Sequence, residues 1–147
     1  MASENKLYAI VRIRGAVNSR GTIHDTMEIL KLKKVSNCMI YPDSEPIKGM
    51  LKKSSTYLTW GELTQEMLVK LLLKRGRLEG DKKLDEKKAK EVAEKILKNK
   101  SAKDAGVKMP LRLAPPSKGY KTVKAPFPKG DAGYRGEKIN DLLERMM

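Results

Sequence analysis

With a single cysteine and a single histidine in 147 residues, this chain is short of the side chains that much protein chemistry uses. One thiol forms no disulfide within the chain, which removes disulfide scaffolds and suits a reducing compartment. Together Cys38 and His24 fall short of the three or four nitrogen and sulfur ligands of a usual zinc centre, so neither metal nor cofactor is expected. Long apolar runs are missing too. The first twenty residues hold none long enough for a signal peptide, and no later segment approaches the roughly 20 apolar residues of a membrane span. The expectation is a soluble intracellular protein that contacts no membrane.

Acidic residues are scarce relative to basic ones: 18 Asp and Glu stand against 32 Lys and Arg, a formal net charge of +14. A surplus of that size around so small a body calls for a polyanion, and nucleic acid is the first candidate. The surplus is not a basic tail on a neutral body. Residues 1–60 carry 10 basic and 5 acidic side chains, and residues 61–147 carry 22 and 13.

Periodicity orders the first sixty residues. Leu7, Ala9, Val11 and Ile13 alternate with Tyr8, Ile10, Arg12 and Arg14, the repeat of a strand with one buried face. A loop from Gly15 to Gly21 leads to Thr22 and Asp25, spaced like a capping box, and to a helix over 23–33 with Ile23, Met27 and Leu30 on one stripe. Strand composition at 37–41, a short helix at 48–54 and a strand at 56–60 complete the order β-α-β-α-β. This predicts a small α/β two-layer sandwich with a three-stranded sheet, ferredoxin-like in its resemblance, and helices on one sheet face.

After Trp60 the character changes to helices and loops. Thr64 suits an N-cap for a helix carrying Met67, Leu68, Leu71 and Leu72 that ends at Lys74 and Arg75 before Gly76. Ala89, Val92, Ala93, Ile96 and Leu97 form one apolar stripe on a charged helix that needs a partner surface. Residues 110–136 hold five of the seven prolines and read as an extended basic arm; a short terminal helix follows over 137–146. Two regions are expected: an RNA-binding core over 1–61, and a helical extension over 62–147 containing the arm.

No residue set supports catalysis. His24 at a helix start reads as solvent-exposed, and Cys38 in an apolar strand reads as a buried structural thiol with no base beside it. The glycines at 15 and 21 are not followed by Gly-Lys-Ser/Thr, so no nucleotide fingerprint is met. Met27, Met67 and Met146 fall on apolar stripes and read as core filler, and the carboxylates of 85–94 lie among lysines on a solvated helix face.

The basic features are more specific. Arg12 and Arg14 share a strand face, Asn18 and Arg20 lie in the following loop, and Lys48, Gly49, Met50, Lys52 and Lys53 surround an expected helix start whose free N–H groups favour an anion. Arg75 and Arg77 flank a turn. In the arm, Lys118, Lys121 and Arg135 are interleaved with Tyr120, Phe127 and Tyr134, a mixture suited to tracking a backbone and stacking on unpaired bases. An RNA-recognition-motif protein is the nearest rival, but its aromatic-rich strand is missing; another non-catalytic RNA- or DNA-binding protein of small α/β type is the alternative.

The stretches YAIVRIRG (8–15), IKGMLKKSSTYLTWGEL (47–63), KRGRL (74–78), LRLAPPSKGY (111–120) and GYRGEKINDLLERM (133–146) resemble the archaeal form of the universal large-subunit ribosomal protein numbered thirty, whose eukaryotic counterpart is numbered seven. The likeness covers nearly the whole chain, most specifically at Lys48-Gly49-Met50 and Thr59-Trp60-Gly61-Glu62, and departs at Val35-Ser36-Asn37 and Asp131-Ala132. It implies a β-α-β-α-β domain with an added C-terminal region and a cytoplasmic place in the large ribosomal subunit. It also implies binding to large-subunit rRNA near 5S rRNA, neighbouring ribosomal proteins as partners, no small-molecule substrate and no enzymatic activity.

Overall fold

The computed structural model describes residues 7–15, 20–42, 44–77, 80, 82–98, 111–120, 122, 125–127 and 129–147. Its elements follow the order β1 (Leu7–Arg12), α1 (Gly21–Ile29), β2 (Asn37–Pro42), α2 (Glu45–Lys53), β3 (Leu58–Glu62), α3 (Gln65–Arg75), α4 (Glu86–Leu97), β4 (Leu111–Arg112), β5 (Gly133–Tyr134), a 3-10 turn (Gly136–Lys138) and α5 (Ile139–Met146). No helix among the described residues is long and apolar enough to cross a membrane.

The β-α-β-α-β unit is present, and its sheet is wider than expected. β1 lies between β2 and β3, antiparallel to both, with Val11 opposite Cys38 on one side and Thr59 on the other. β4 then pairs antiparallel with β2, and β5 pairs parallel with β3, giving the order β4-β2-β1-β3-β5. The three expected strands become five because both outer edges are covered by short strands from the extended arm. Two-residue strands inside a Pro-rich segment leave no alternation to read.

β1 is buried on both faces, which corrects the expectation of one. Tyr8 and Ile10 pack with Met27 of α1, Leu30 just after it, Leu51 of α2, Leu58 and Trp60. Leu7, Ala9, Val11 and Ile13 face a second cluster built from Met67, Leu68, Leu71 and Leu72 of α3, Val92, Ala93 and Ile96 of α4, and Ile139, Leu142, Leu143 and Met146 of α5. The first sixty residues thus form the expected two layers, and the extension covers the face left open. Met27, Met67 and Met146 are core side chains, as their stripes imply.

Local signals beyond Trp60 match well. The Thr64 hydroxyl accepts the Met67 N–H at 3.3 Å and caps α3, and the Gly76 N–H reaches the Leu72 carbonyl at 2.9 Å to close the helix after Lys74 and Arg75. α5 crosses the sheet face. Its Asn140 side chain bonds both Thr64 N–H and the Glu62 carbonyl, while at its other end the Met146 and Arg145 carbonyls accept from Ala114 and Ser117 N–H. Gly61 lets this helix approach, because a Cβ there would collide with the Gly136 carbonyl and Ile139.

Candidate nucleic-acid interface

Four chain segments meet where β1 ends and β2 and β3 begin. The Ser36 N–H bonds the Arg12 carbonyl at 2.7 Å, Ile13 N–H the Tyr57 carbonyl at 3.1 Å, and Leu113 N–H the Ser36 carbonyl at 3.1 Å. Residues 12–14, 31–37, 52–57 and 111–113 are therefore one rim of the sheet. Together they carry eight cations and no carboxylate.

Arg12 braces this rim from within. It is only 5% exposed. Its Nε donates to the Arg14 carbonyl at 3.0 Å, and its Nη1 donates to the Leu32 and Lys33 carbonyls at 2.9 and 2.7 Å. Burial pulls its pKa below the ordinary arginine value, yet an arginine stays protonated, and these carbonyls accept from it. The expectation placed Arg12 on phosphate, and in the fold its Nε and Nη1 are held by backbone carbonyls: a cation at a strand end looks the same in sequence whether it faces solvent or ties down a neighbouring turn.

The remaining seven cations are outward. Lys31, Lys33, Lys34, Lys52, Lys53 and Arg112 are exposed, and half-buried Arg14 lies over the Tyr57 ring at 5.4 Å. Lys31, Lys33, Lys34 and Arg112 were not among the sequence candidates, because 31–33 read as helix and Arg112 as the start of an arm. The usable signal was Lys31-Leu32-Lys33-Lys34, three cations in a stretch that carries no acid between Glu28 and Asp43. α1 in fact stops at Ile29: Leu32 N–H returns to the Met27 carbonyl and Lys31 N–H to the Glu28 carbonyl, both at 2.9 Å, the paired closure that places its reversing residue in the left-handed region. That residue is Lys31, at φ 62°, where glycine is usual; buried Ser36, at φ 68°, reverses the chain again. Two non-glycine residues held at positive φ in one turn mark strain retained at a surface, the pattern of functional sites. Val35, 46% exposed, is the apolar tip between them.

Other sequence candidates separate by environment. Arg20 is exposed at the N-cap of α1, where its side chain makes no cap bond; Thr22 and Asp25 lie within the helix, so the expected capping box is absent. Lys48 lies inside α2, not at its start, because Glu45-Pro46 begins the helix; it is half-buried and reaches Glu45 at 3.7 Å. Gly49 is exposed on the same helix, whereas Met50 packs against the α1/α2 core. Arg75 and Arg77 do come together with Lys74 at the end of α3, where the Arg77 guanidinium donates to the Gly76 carbonyl at 2.9 Å and residue 77 bridges to Lys83. Asn18 and Lys121 lie outside the described residues.

The arm's candidates are largely consumed by the fold. Arg135, 6% exposed, pairs with Asp131 at 2.9 Å, donates to Thr59 Oγ1 at 2.9 Å and lies over the Phe127 ring. These bonds tie β5 to β3, so the fold gives Arg135 a structural use besides the phosphate contact expected of it. Tyr120 is half-buried with its hydroxyl turned inward near Ser36, and burial raises its pKa; it is packing, not a stacking platform. Lys118 remains exposed on a turn that Arg145 pins through the Ser117 and Gly119 carbonyls. The described arm is packed at Leu111, Leu113, 130–133 and Arg135 because those few apolar and paired residues anchor it to both sheet edges.

Nothing in this arrangement is built for nucleophilic chemistry. Cys38 is fully buried, and burial pushes its thiol up to about 12. His24, Asp25 and Glu28 gather on the exposed side of α1, where a solvated helix face accounts for them.

Comparison with known proteins agrees with the geometry. Residues 8–58 match the family model described as ribosomal protein L30p/L7e. A Methanococcus maripaludis protein named large ribosomal subunit protein uL30 is 48% identical, over 95% of this chain and 99% of its own length. Proteins of the same name from Nanoarchaeum equitans and Ignicoccus hospitalis are 44% and 40% identical, each over at least 95% of this chain and 97% of its own length.

Proposed function

Because the chain belongs to the L30p/L7e family of ribosomal proteins, and is thereby a non-enzymatic, structural constituent of the large ribosomal subunit in the cytoplasm, we propose that it binds large-subunit rRNA through the rim of its sheet. The observation that carries this reading is the meeting of four segments with eight cations and no carboxylate. Phosphate neutralisation there releases counterions and drives binding. The reading extends to exposed Arg20, Gly49 and Lys118, to half-buried Lys48, and to the Arg75/Arg77 turn. Basic side chains gathered from several segments suit a protein that fixes rRNA elements relative to one another, 5S rRNA among them, beside neighbouring ribosomal proteins.

On this reading the unit up to residue 61 presents the rim, and the extension from 62 covers its sheet and completes the rim with Arg112. Titration of the protein with large-subunit rRNA at several salt concentrations tests it. Affinity should fall steeply, with a log-log slope worth several charges. A flat dependence would remove the electrostatic basis, and co-sedimentation with the small subunit alone would remove the assignment of partner.

A further inference from the structure

We infer that the rim recognises double-helical RNA by its backbone and shape, not single-stranded RNA by its bases; this rests on the rRNA-binding reading above. Single-strand binding needs a row of aromatic platforms beside a cationic track. All seven aromatic residues lie among the described ones, and none offers that row. Tyr8 and Trp60 are in the core, and half-buried Tyr41 donates its hydroxyl to the Leu30 carbonyl. Phe127 lies under Arg135, and Tyr120 is packed.

Tyr134, 51% exposed, is the freest ring, and it sits at the opposite edge of the sheet. There its hydroxyl contacts the Glu62 carboxylate at 3.3 Å and Glu137 is near, so an RNA strand is repelled from that edge. On the rim itself Tyr57 is already covered by Arg14. That leaves one guanidinium plane, which does not make a track.

What the rim does offer fits a duplex. The backbone bonds among its four segments and the Arg12 brace fix the positions from which its cations project, and a fixed array suits the regular phosphates on either side of a groove. Exposed Thr56 and half-buried Ser55 add hydroxyls, and Val35 adds a small apolar tip. The wide, shallow minor groove of A-form RNA presents 2′-hydroxyls and sugar faces to groups of this kind, and its phosphates flank them. DNA lacks the 2′-hydroxyl.

The test is a titration, at one moderate salt concentration, of the full chain against a blunt RNA duplex of about two turns, each of its strands alone, and the DNA duplex of the same sequence. The RNA duplex should bind about tenfold more tightly than either strand or the DNA. The triple variant Lys33→Glu, Lys34→Glu, Arg112→Glu should lose that binding with an unchanged melting temperature. If a single strand binds as tightly as the duplex, the inference is overturned while rRNA binding stands. If neither the RNA duplex nor its strands bind, the rRNA-binding reading itself fails. If the triple variant binds like the parent, duplex recognition lies elsewhere on the molecule and the assignment to the rim is wrong.

Discussion

At the residue scale, the position of an arginine says little until its acceptors are known. Arg12 donates to three backbone carbonyls, two of them in the turn that carries Lys33 and Lys34. Arg12→Ala should therefore cost about 2–3 kcal/mol in a urea titration, since buried acceptors lose a charged donor. Weakened RNA binding with unchanged stability would instead make Arg12 a direct contact. Cys38 gives a pH-dependent counterpart. Its thiol titrates near 9.0 when unfolded and near 12 when folded, so the folded state keeps a proton that the unfolded state releases. Stability from this group is intact below pH 9.0 and declines by about 1.4 kcal/mol per pH unit from there toward 12. The Cys38→Ala variant loses packing but also loses that decline, so its stability deficit against the parent should shrink from pH 9 to pH 11. A constant deficit would show that the thiol does not titrate differently in the two states.

At the scale of elements, the Schellman-type closure of α1 combines stability and function in one residue. Lys31 holds φ 62° at a cost that glycine would not bear. Lys31→Gly is expected to raise stability by about 1 kcal/mol and to weaken RNA binding modestly by removing one rim cation; binding at parental strength would exclude Lys31 from the interface. Why this closure escaped the sequence reading is physical: with lysine in place of glycine, the stop signal is missing and the helix reads on to Lys33. α2 begins earlier than the expected residue 48, because Pro46 is tolerated in a helix's first turn and so permits a start at Glu45. Where apolar periodicity is strong, in α3, α4 and α5, the elements were legible with their core faces, and β1 was legible as a strand but with only one of its two buried faces. The two-residue strands β4 and β5 were not, because pairing, and not side-chain pattern, defines them. The site was half legible for the same reason. Arg14, Lys52 and Lys53 stood out as clusters along the chain, whereas Arg112 joins them only through β4 pairing.

At the scale of the whole molecule, the interface depends on parts that are remote in sequence. The first sixty residues build a sheet with α1 and α2 on one face, but the other face, Leu7, Ala9, Val11, Ile13, Cys38 and Ile40, is covered by side chains of α3, α4 and α5. Without residues 63–147 that face and both outer strands, β2 and β3, would be open. An exposed apolar sheet with unpaired edges favours association over a unique fold. A chain ending at residue 62 should consequently show no cooperative thermal transition and should aggregate, even though it contains most of the rim and the whole segment matched by the family model. A shorter deletion isolates the cause. Removing only α5 exposes the Gly61 approach and frees Ala114 and Ser117 from the Met146 and Arg145 carbonyls, so the chain leaving β4 loses its anchor and Arg112 its fixed place beside Asn37. That deletion should lower the melting temperature and weaken RNA binding together, measured by circular dichroism and titration on the same preparation. A cooperative melt for the 62-residue chain, with RNA binding equal to the parent's, would show instead that the extension is a separate module and that the rim needs nothing from it.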